Sequence, residues 1–230
     1  DPGTYHLYYG NEAAEPGSIL TFFPFADAAP GRAGPGMASA FAYTVPKGGL
    51  NALMERFADA GMDFAGPSAR FGAAAIALSD PDGLTDIFGY EVAGSEIEGA
   101  SERFRFRAPG GAPASVVDII RVANAERGRP GAGTVHHVAF RAPSYDAHEA
   151  WRETLASKGH DVTPIIDRQY FNAIYFREPG GVLFEIATDP PGFAIDEPQQ
   201  TLGQELKLPP RYEANRKAIE ARLTPLRVPA

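Results

Sequence analysis

Val135-His136-His137-Val138-Ala139-Phe140 and, further along, Val182-Leu183-Phe184-Glu185-Ile186-Ala187 bracket the part of this 230-residue chain that decides its fold. Each is a short, mainly apolar run of strand length. Between them Ser144–Lys158 carries Ala147, Ala150, Trp151, Thr154 and Leu155 at helical spacing, with Gly159 placed to end the helix. Ala173–Phe176 then passes through Glu178-Pro179-Gly180-Gly181, a hairpin turn signal, into the last run. The order is strand, helix, strand, strand, strand. Inside it, His137 and Glu185 each interrupt an apolar strand. A buried ionised Glu costs several kcal/mol unless something compensates it. A metal ion is one such compensation, since His plus Glu is ligand chemistry for Fe(II), Mn(II) or Zn(II).

Outward from this stretch the strand–turn–strand unit recurs. Tyr5–Tyr9, Glu15-Pro16-Gly17 and Ile19–Phe23 form one copy; Ala73–Ser79 with Asp80-Pro81-Asp82-Gly83 forms part of a second. Arg103–Arg107, Pro109-Gly110-Gly111 and Ser115–Ile120 form a third. The second copy is preceded by a strand, Ala38–Val45, and a helix near Gly49–Ala60 with Leu50, Leu53, Met54 and Phe57 on one face. The first and third copies lack most of that leading strand and helix. The period therefore predicts two further segments of roughly 40 residues, one before Asp1 and one between Leu84 and Thr85. The expected class is α+β, with repeated β-α-β-β-β modules forming half-open barrels and a C-terminal wrapping tail. Residues 1–122 are expected to hold modules one, two and part of three, 123–189 the metal-binding module, and 190–230 the tail with a short helix near Arg211–Arg222.

Composition narrows the partners. The net charge is −8 and no Lys/Arg-rich run is present, which argues against nucleic acid or an anionic membrane. No apolar run approaches the ~20 residues that span a bilayer, and the first residues, Asp1-Pro2-Gly3, carry no secretory signal, so cytoplasmic residence is expected. The chain has no cysteine, which removes disulfides, thiolate ligands and a Cys nucleophile.

These repeats, the His137…Glu185 pair and several phrases resemble the vicinal-oxygen-chelate superfamily, and within it the hydroquinone-type ring-cleaving dioxygenases. The phrases are Thr4–Gly10, Leu20–Phe25, Val135–Phe140, Tyr175–Gly181 and Phe184–Phe193, the last being the most specific. The resemblance covers nearly the whole chain. It implies an Fe(II) or Mn(II) site with His137 and Glu185 as second and third ligands, and a first ligand, a His, in a segment before Asp1. It implies that His136 touches substrate at the site's edge. Arg168 and Tyr175 would line the pocket, the first stabilising a phenolate and the second steering a proton or hydrogen-bonding substrate. A small aromatic substrate and O2 would be the partners, with a homo-oligomer left open. A glyoxalase-like lyase or isomerase and a metal-free aromatic-binding protein stay open as alternatives.

Read from the residues alone, strand alternation sends His136 and His137 to opposite faces. Arg168 reads as surface and Tyr175 as core. His6, in an aromatic strand, reads as core packing. His148 and His160 read as solvent-exposed, and the Arg103-Phe104-Arg105-Phe106-Arg107 strand as half-buried with its arginines outward. Asp80-Pro81-Asp82-Gly83 lacks the spaced ligands of a Ca2+ loop and reads as a hairpin turn.

Overall fold

The computed structural model describes residues 3–41, 49–61, 77–78, 88–110, 116–122 and 124–226. In chain order its elements are β1 (Leu7–Tyr9), β2 (Leu20–Phe22), α1 (Gly49–Asp59), β3 (Ala77–Leu78), β4 (Glu91–Glu98), β5 (Ser101–Arg107) and β6 (Val116–Val122). There follow β7 (Val138–Ala142), α2 (Tyr145–Ser157), β8 (Ile166–Asp167), β9 (Phe171–Arg177), β10 (Leu183–Pro191), three short 3-10 helices and α3 (Arg216–Glu220). The class is α+β. The chain forms two compact units: Asp1–Pro30 with Val138–Arg177 and Leu183–Ala230, and Gly31–His137 with Glu178–Val182.

In the first unit β1 and β2 pair as an antiparallel hairpin, Leu7 opposite Phe22. A four-stranded sheet runs in the order β7-β10-β9-β8, with β10 parallel to β7 and antiparallel to β9. Helix α2 joins β7 to β8 and packs on β10 and β7. It starts on Ser144, whose side chain accepts from Ala147 N, and its end is followed by Gly159 at φ 83°. The core contains Leu155, Ile174, Phe176, Phe184 and Ile186, all fully buried. Phe184 meets Phe140 and Phe176 edge-on, at 5.0 and 5.7 Å between ring centroids.

The helix buries a different line from the one its apolar residues suggest. His148 and Leu155 are buried, while Ala150 and Thr154 are exposed. His148, expected in solvent, is 0% exposed and its Nε2 lies 2.9 Å from the Ile186 carbonyl oxygen. That hydrogen bond offsets the cost of burying one ring nitrogen, while Nδ1 is buried with no hydrogen-bond partner among the described residues. His160, also expected exposed, is half-buried with its ring edge-on to Phe176 at 5.5 Å. His6 departs the other way: it is exposed, with its ring edge against Phe23 at 4.7 Å. The tail is not one helix but a 3-10 helix, Pro210–Asn215, running into the five-residue α3, with Ile219 and Leu223 buried.

In the second unit the sheet order is β3-β6-β5-β4, with β6 parallel to β3 and antiparallel to β5. Two of the three β5 arginines are a correction, while Arg107 is exposed as expected. Arg103 and Arg105 are 6% and 5% exposed, turned onto Asp118, which is 0% exposed. Arg105 Nε and Nη2 donate to Asp118 Oδ1 and Oδ2 at 2.7 and 2.8 Å, and Arg103 Nη1 lies 3.6 Å from Oδ2. A paired, hydrogen-bonded carboxylate makes burial of a guanidinium possible where alternation alone would turn it outward. Helix α1 keeps the expected position, yet no residue of it is buried and Leu50 is 43% exposed. The Glu178-Pro179-Gly180-Gly181 turn is held by its own first residue: the Glu178 carboxylate accepts from Gly180 N at 2.8 Å and Val182 N at 2.5 Å. Of the second copy's expected elements, the strand end 42–45, residues 73–76 and 79, the Asp80–Gly83 turn and the junction at 84–85 lie outside the described residues. Ala38–Phe41, which are described, form no strand. Among the described residues, no helix is long and apolar enough to cross a membrane.

Candidate functional site

Alternation along β10 sends Phe184 and Ile186 to one face of the sheet and Glu185 to the other. Glu185 is 3% exposed. Its neighbour across the parallel pair is Ala139, which adds no bulk, and across the antiparallel pair it faces Tyr175. The Tyr175 hydroxyl donates to Glu185 Oε1 at 2.6 Å. Such a short bond between phenol and carboxylate is charge-assisted, and it fixes the plane in which the carboxylate presents its other lone pairs. Burial, then the Glu185 charge and hydrogen bond, push the Tyr175 phenol well above its ordinary range, with Arg168 opposing them. At neutral pH Tyr175 is therefore a donor.

Arg168 follows β8 directly, and its N–H donates to the Phe171 carbonyl across a tight turn in which Gln169 takes φ 74°. This turn carries the guanidinium back over β9, its central carbon 5.1 Å from the centre of the Tyr175 ring. Seven residues of chain would otherwise separate Arg168 and Tyr175 onto opposite faces, and the turn removes that parity. Carboxylate, phenol and guanidinium thus stand in a row: an anion, a neutral donor and a fixed cation.

Three aromatic side chains from separate segments complete the surroundings. Tyr8 on β1 meets Phe193 at 4.9 Å and Tyr170 at 6.1 Å, both edge-on, and Tyr170 stacks on Phe193 at 4.9 Å with 26° between the planes. The Tyr8 phenol is raised to about 12, first by burial and then by the Glu185 charge, while Arg168 lowers it. The Tyr170 hydroxyl donates to Asp196 Oδ2 at 3.3 Å. No local pattern in the sequence marks Tyr8, Tyr170 or Phe193 as site residues. The one signal in the chain was that Tyr8 and Phe193 fall inside motif phrases.

His136 and His137 lie just before β7, not inside it, and the expected opposite orientation does not hold. Their rings meet edge-on at 5.2 Å and the two Nδ1 atoms are 2.9 Å apart, so one ring donates to the other. Outside the pleat, alternation has no hold on consecutive side chains. His137 immediately precedes Val138, whose partner on β10 is Phe184, the residue before Glu185.

The second unit contains a counterpart of the Tyr175–Glu185 pair. Arg107 pairs with Val116 across the β5–β6 turn as Arg177 pairs with Leu183 across the β9–β10 turn. Counting inward from both turns, Arg105–Asp118 occupies the place of Tyr175–Glu185, and Asp118 has Ala77 as its parallel neighbour as Glu185 has Ala139. At this position one sheet binds its carboxylate to guanidinium groups and the other to a phenol. Among the described residues, no group of three or more His, Asp or Glu side chains is gathered as a ready metal site.

A family model described as the Glyoxalase/Bleomycin resistance protein/Dioxygenase superfamily matches residues 85–186. MhqO of Bacillus subtilis (strain 168), provisionally named a ring-cleaving dioxygenase, is 40% identical over an alignment covering 99% of this chain and 86% of the relative. A chlorohydroquinone/hydroquinone 1,2-dioxygenase of Sphingobium indicum is 29% identical, covering 91% of this chain and 80% of its own. The crystal structure of a provisionally named dioxygenase from Bacillus subtilis superposes with a TM-score of 0.89 and 38% identity, over 100% of this chain and 86% of that one.

Proposed function

The chain belongs to the glyoxalase/bleomycin resistance protein/dioxygenase superfamily, and from that premise we propose that it is a ring-cleaving dioxygenase that opens a hydroquinone or related dihydroxybenzene with O2. The observation that carries this reading is the buried Glu185 carboxylate, held by Tyr175 and neighboured by Arg168, in a chain whose relatives are named ring-cleaving dioxygenases. The cleavage is of extradiol type.

Glu185 and His137 would hold Fe(II) or Mn(II). The donor chemistry fits: a buried carboxylate in an apolar strand calls for a cation, and a His whose Nδ1 is engaged by a neighbouring ring presents its Nε2 as ligand. When bound, such a metal supplies Lewis acidity toward a substrate hydroxyl and open positions for substrate and O2. The protein's own groups do the rest. Tyr175 holds the Glu185 carboxylate in one orientation and keeps a proton available at its hydroxyl. Arg168 places a permanent positive charge beside the site, which favours a phenolate over a phenol. His136 anchors His137 and borders the substrate.

The deciding experiment is aerobic turnover of hydroquinone by Fe(II)-loaded protein, with O2 electrode and mass spectrometry in parallel. One O2 consumed per ring opened is the expected result. Hemithioacetal turnover without O2 uptake, with hydroquinone untouched, would overturn the proposal in favour of a lyase.

A further inference from the structure

Of the three aromatic side chains around Glu185 and Arg168, Tyr8 alone combines a hydroxyl with no commitment. Tyr170 gives its hydroxyl to Asp196, and Phe193 has none. The Tyr8 hydroxyl has no hydrogen-bond partner among the described residues, and the residue is half-buried. A phenol in such surroundings ordinarily finds a protein partner. Its ring meets Tyr170, in the turn that carries Arg168, and Phe193, just beyond the strand that carries Glu185, and the charges of Glu185 and Arg168 both act on it. It stays protonated at neutral pH and can only donate or accept a hydrogen bond as a neutral group.

We propose that Tyr8 is a specificity-determining residue whose hydroxyl donates a hydrogen bond to a hydroxyl oxygen of the aromatic substrate, while its ring, with Phe193 and Tyr170, forms the wall against which the substrate ring packs. This rests on the ring-cleavage reading and adds to it a residue that selects for a ring hydroxyl. The three rings already pack as one aromatic cluster: Tyr170 stacks on Phe193 with 26° between the planes and Tyr8 meets Phe193 at 64°. An aliphatic hemithioacetal offers neither the face for this wall nor a ring hydroxyl for Tyr8. A site built to hydrogen-bond a substrate hydroxyl discriminates strongly against analogues that lack it.

The test is hydroquinone binding to Fe(II)-loaded wild-type and Tyr8→Phe proteins under argon by calorimetry, with melting temperatures and aerobic O2 uptake alongside. Tyr8→Phe is expected to weaken binding about five- to tenfold, the loss of one hydrogen bond. Its melting temperature should stay within a degree or two, because the hydroxyl has no protein partner to lose. Equal affinities in the two proteins, a weakening matched by a large fall in melting temperature, or no hydroquinone binding by the wild type would each overturn the assignment. Normal O2 uptake with equal affinities sinks Tyr8 and leaves ring cleavage standing. Weakened binding in the variant with no O2 uptake by either protein does the reverse.

Discussion

Tyr175 and Glu185 are direct partners across β9 and β10, and the phenol of the first donates to Oε1 of the second at 2.6 Å. Tyr175→Phe removes that donor and leaves the ring in place. A buried carboxylate deprived of a charge-assisted bond should lower unfolding stability by about 1–3 kcal/mol. Urea denaturation of metal-free protein measures it directly, and a midpoint equal to the wild type would show that Tyr175 does not hold the carboxylate.

If His137 and Glu185 are ligands, His137→Ala and Glu185→Ala should each weaken iron binding by about tenfold or more, beyond what loss of an outer-sphere partner costs. Metal content after equilibrium dialysis at fixed free Fe(II) is the readout. Unchanged content in both variants would sink the ligand assignment.

Local chemistry explains what was legible in the chain. Ser144 as cap, Gly159 beyond the end and a 3.6-residue period located α2, and Glu178-Pro179-Gly180-Gly181 located the β9–β10 turn, because each signal lies within a few residues of what it specifies. Polar burial was not legible. His148 is buried because a carbonyl at Ile186 meets it, and Arg105 because Asp118 does. Those partners lie well away in sequence, and alternation along one strand carries no record of them. The histidine pair was misplaced for a narrower reason: β7 begins at Val138, three residues later than the apolar run suggests, which frees both rings from the pleat. Tyr8 reaches Tyr170 and Phe193 only through the packing of β1's unit, which no local motif encodes.

His148 ties α2 to the backbone of the strand that carries Glu185, through Nε2 and the Ile186 carbonyl oxygen at 2.9 Å. His148→Leu leaves that buried carbonyl without its side-chain partner and should cost about 1–3 kcal/mol. His148→Gln, which can still donate, should recover part of the loss. The comparison of the two unfolding midpoints decides the matter, and equal losses would mean that shape, not the hydrogen bond, is what His148 contributes.

Tyr8 predicts a pH dependence. Burial, reinforced by the Glu185 charge, raises its phenol to about 12, against about 10 in the unfolded chain. Below pH 10 both states hold the proton and Tyr8 contributes no slope. Between pH 10 and about 12 the unfolded chain releases its proton first, so folded stability falls as pH rises. Wild type should therefore lose stability over this window more steeply than Tyr8→Phe, by at most about 1.4 kcal/mol per pH unit. Parallel stability curves for the two proteins would remove the premise that Tyr8 is desolvated.

Asp118 tests the counterpart pair. Because Arg105 and Arg103 are both buried against it, Asp118→Ala strands positive charge in the second unit's interior and should cost about 3–5 kcal/mol. Arg103 keeps recourse to Glu98 at 3.3 Å and Glu96 at 3.7 Å, which softens its share of the penalty. Removing both ends at once, Arg105→Met with Asp118→Leu, should therefore be less damaging than Asp118→Ala alone, since no unpaired charge is left and the apolar replacements fill similar space. Denaturant unfolding of the single and double variants supplies the cycle. If Asp118→Ala cost less than about 1 kcal/mol, the carboxylate would not be compensating buried guanidinium charge, and the parallel with Tyr175–Glu185 would be one of position only.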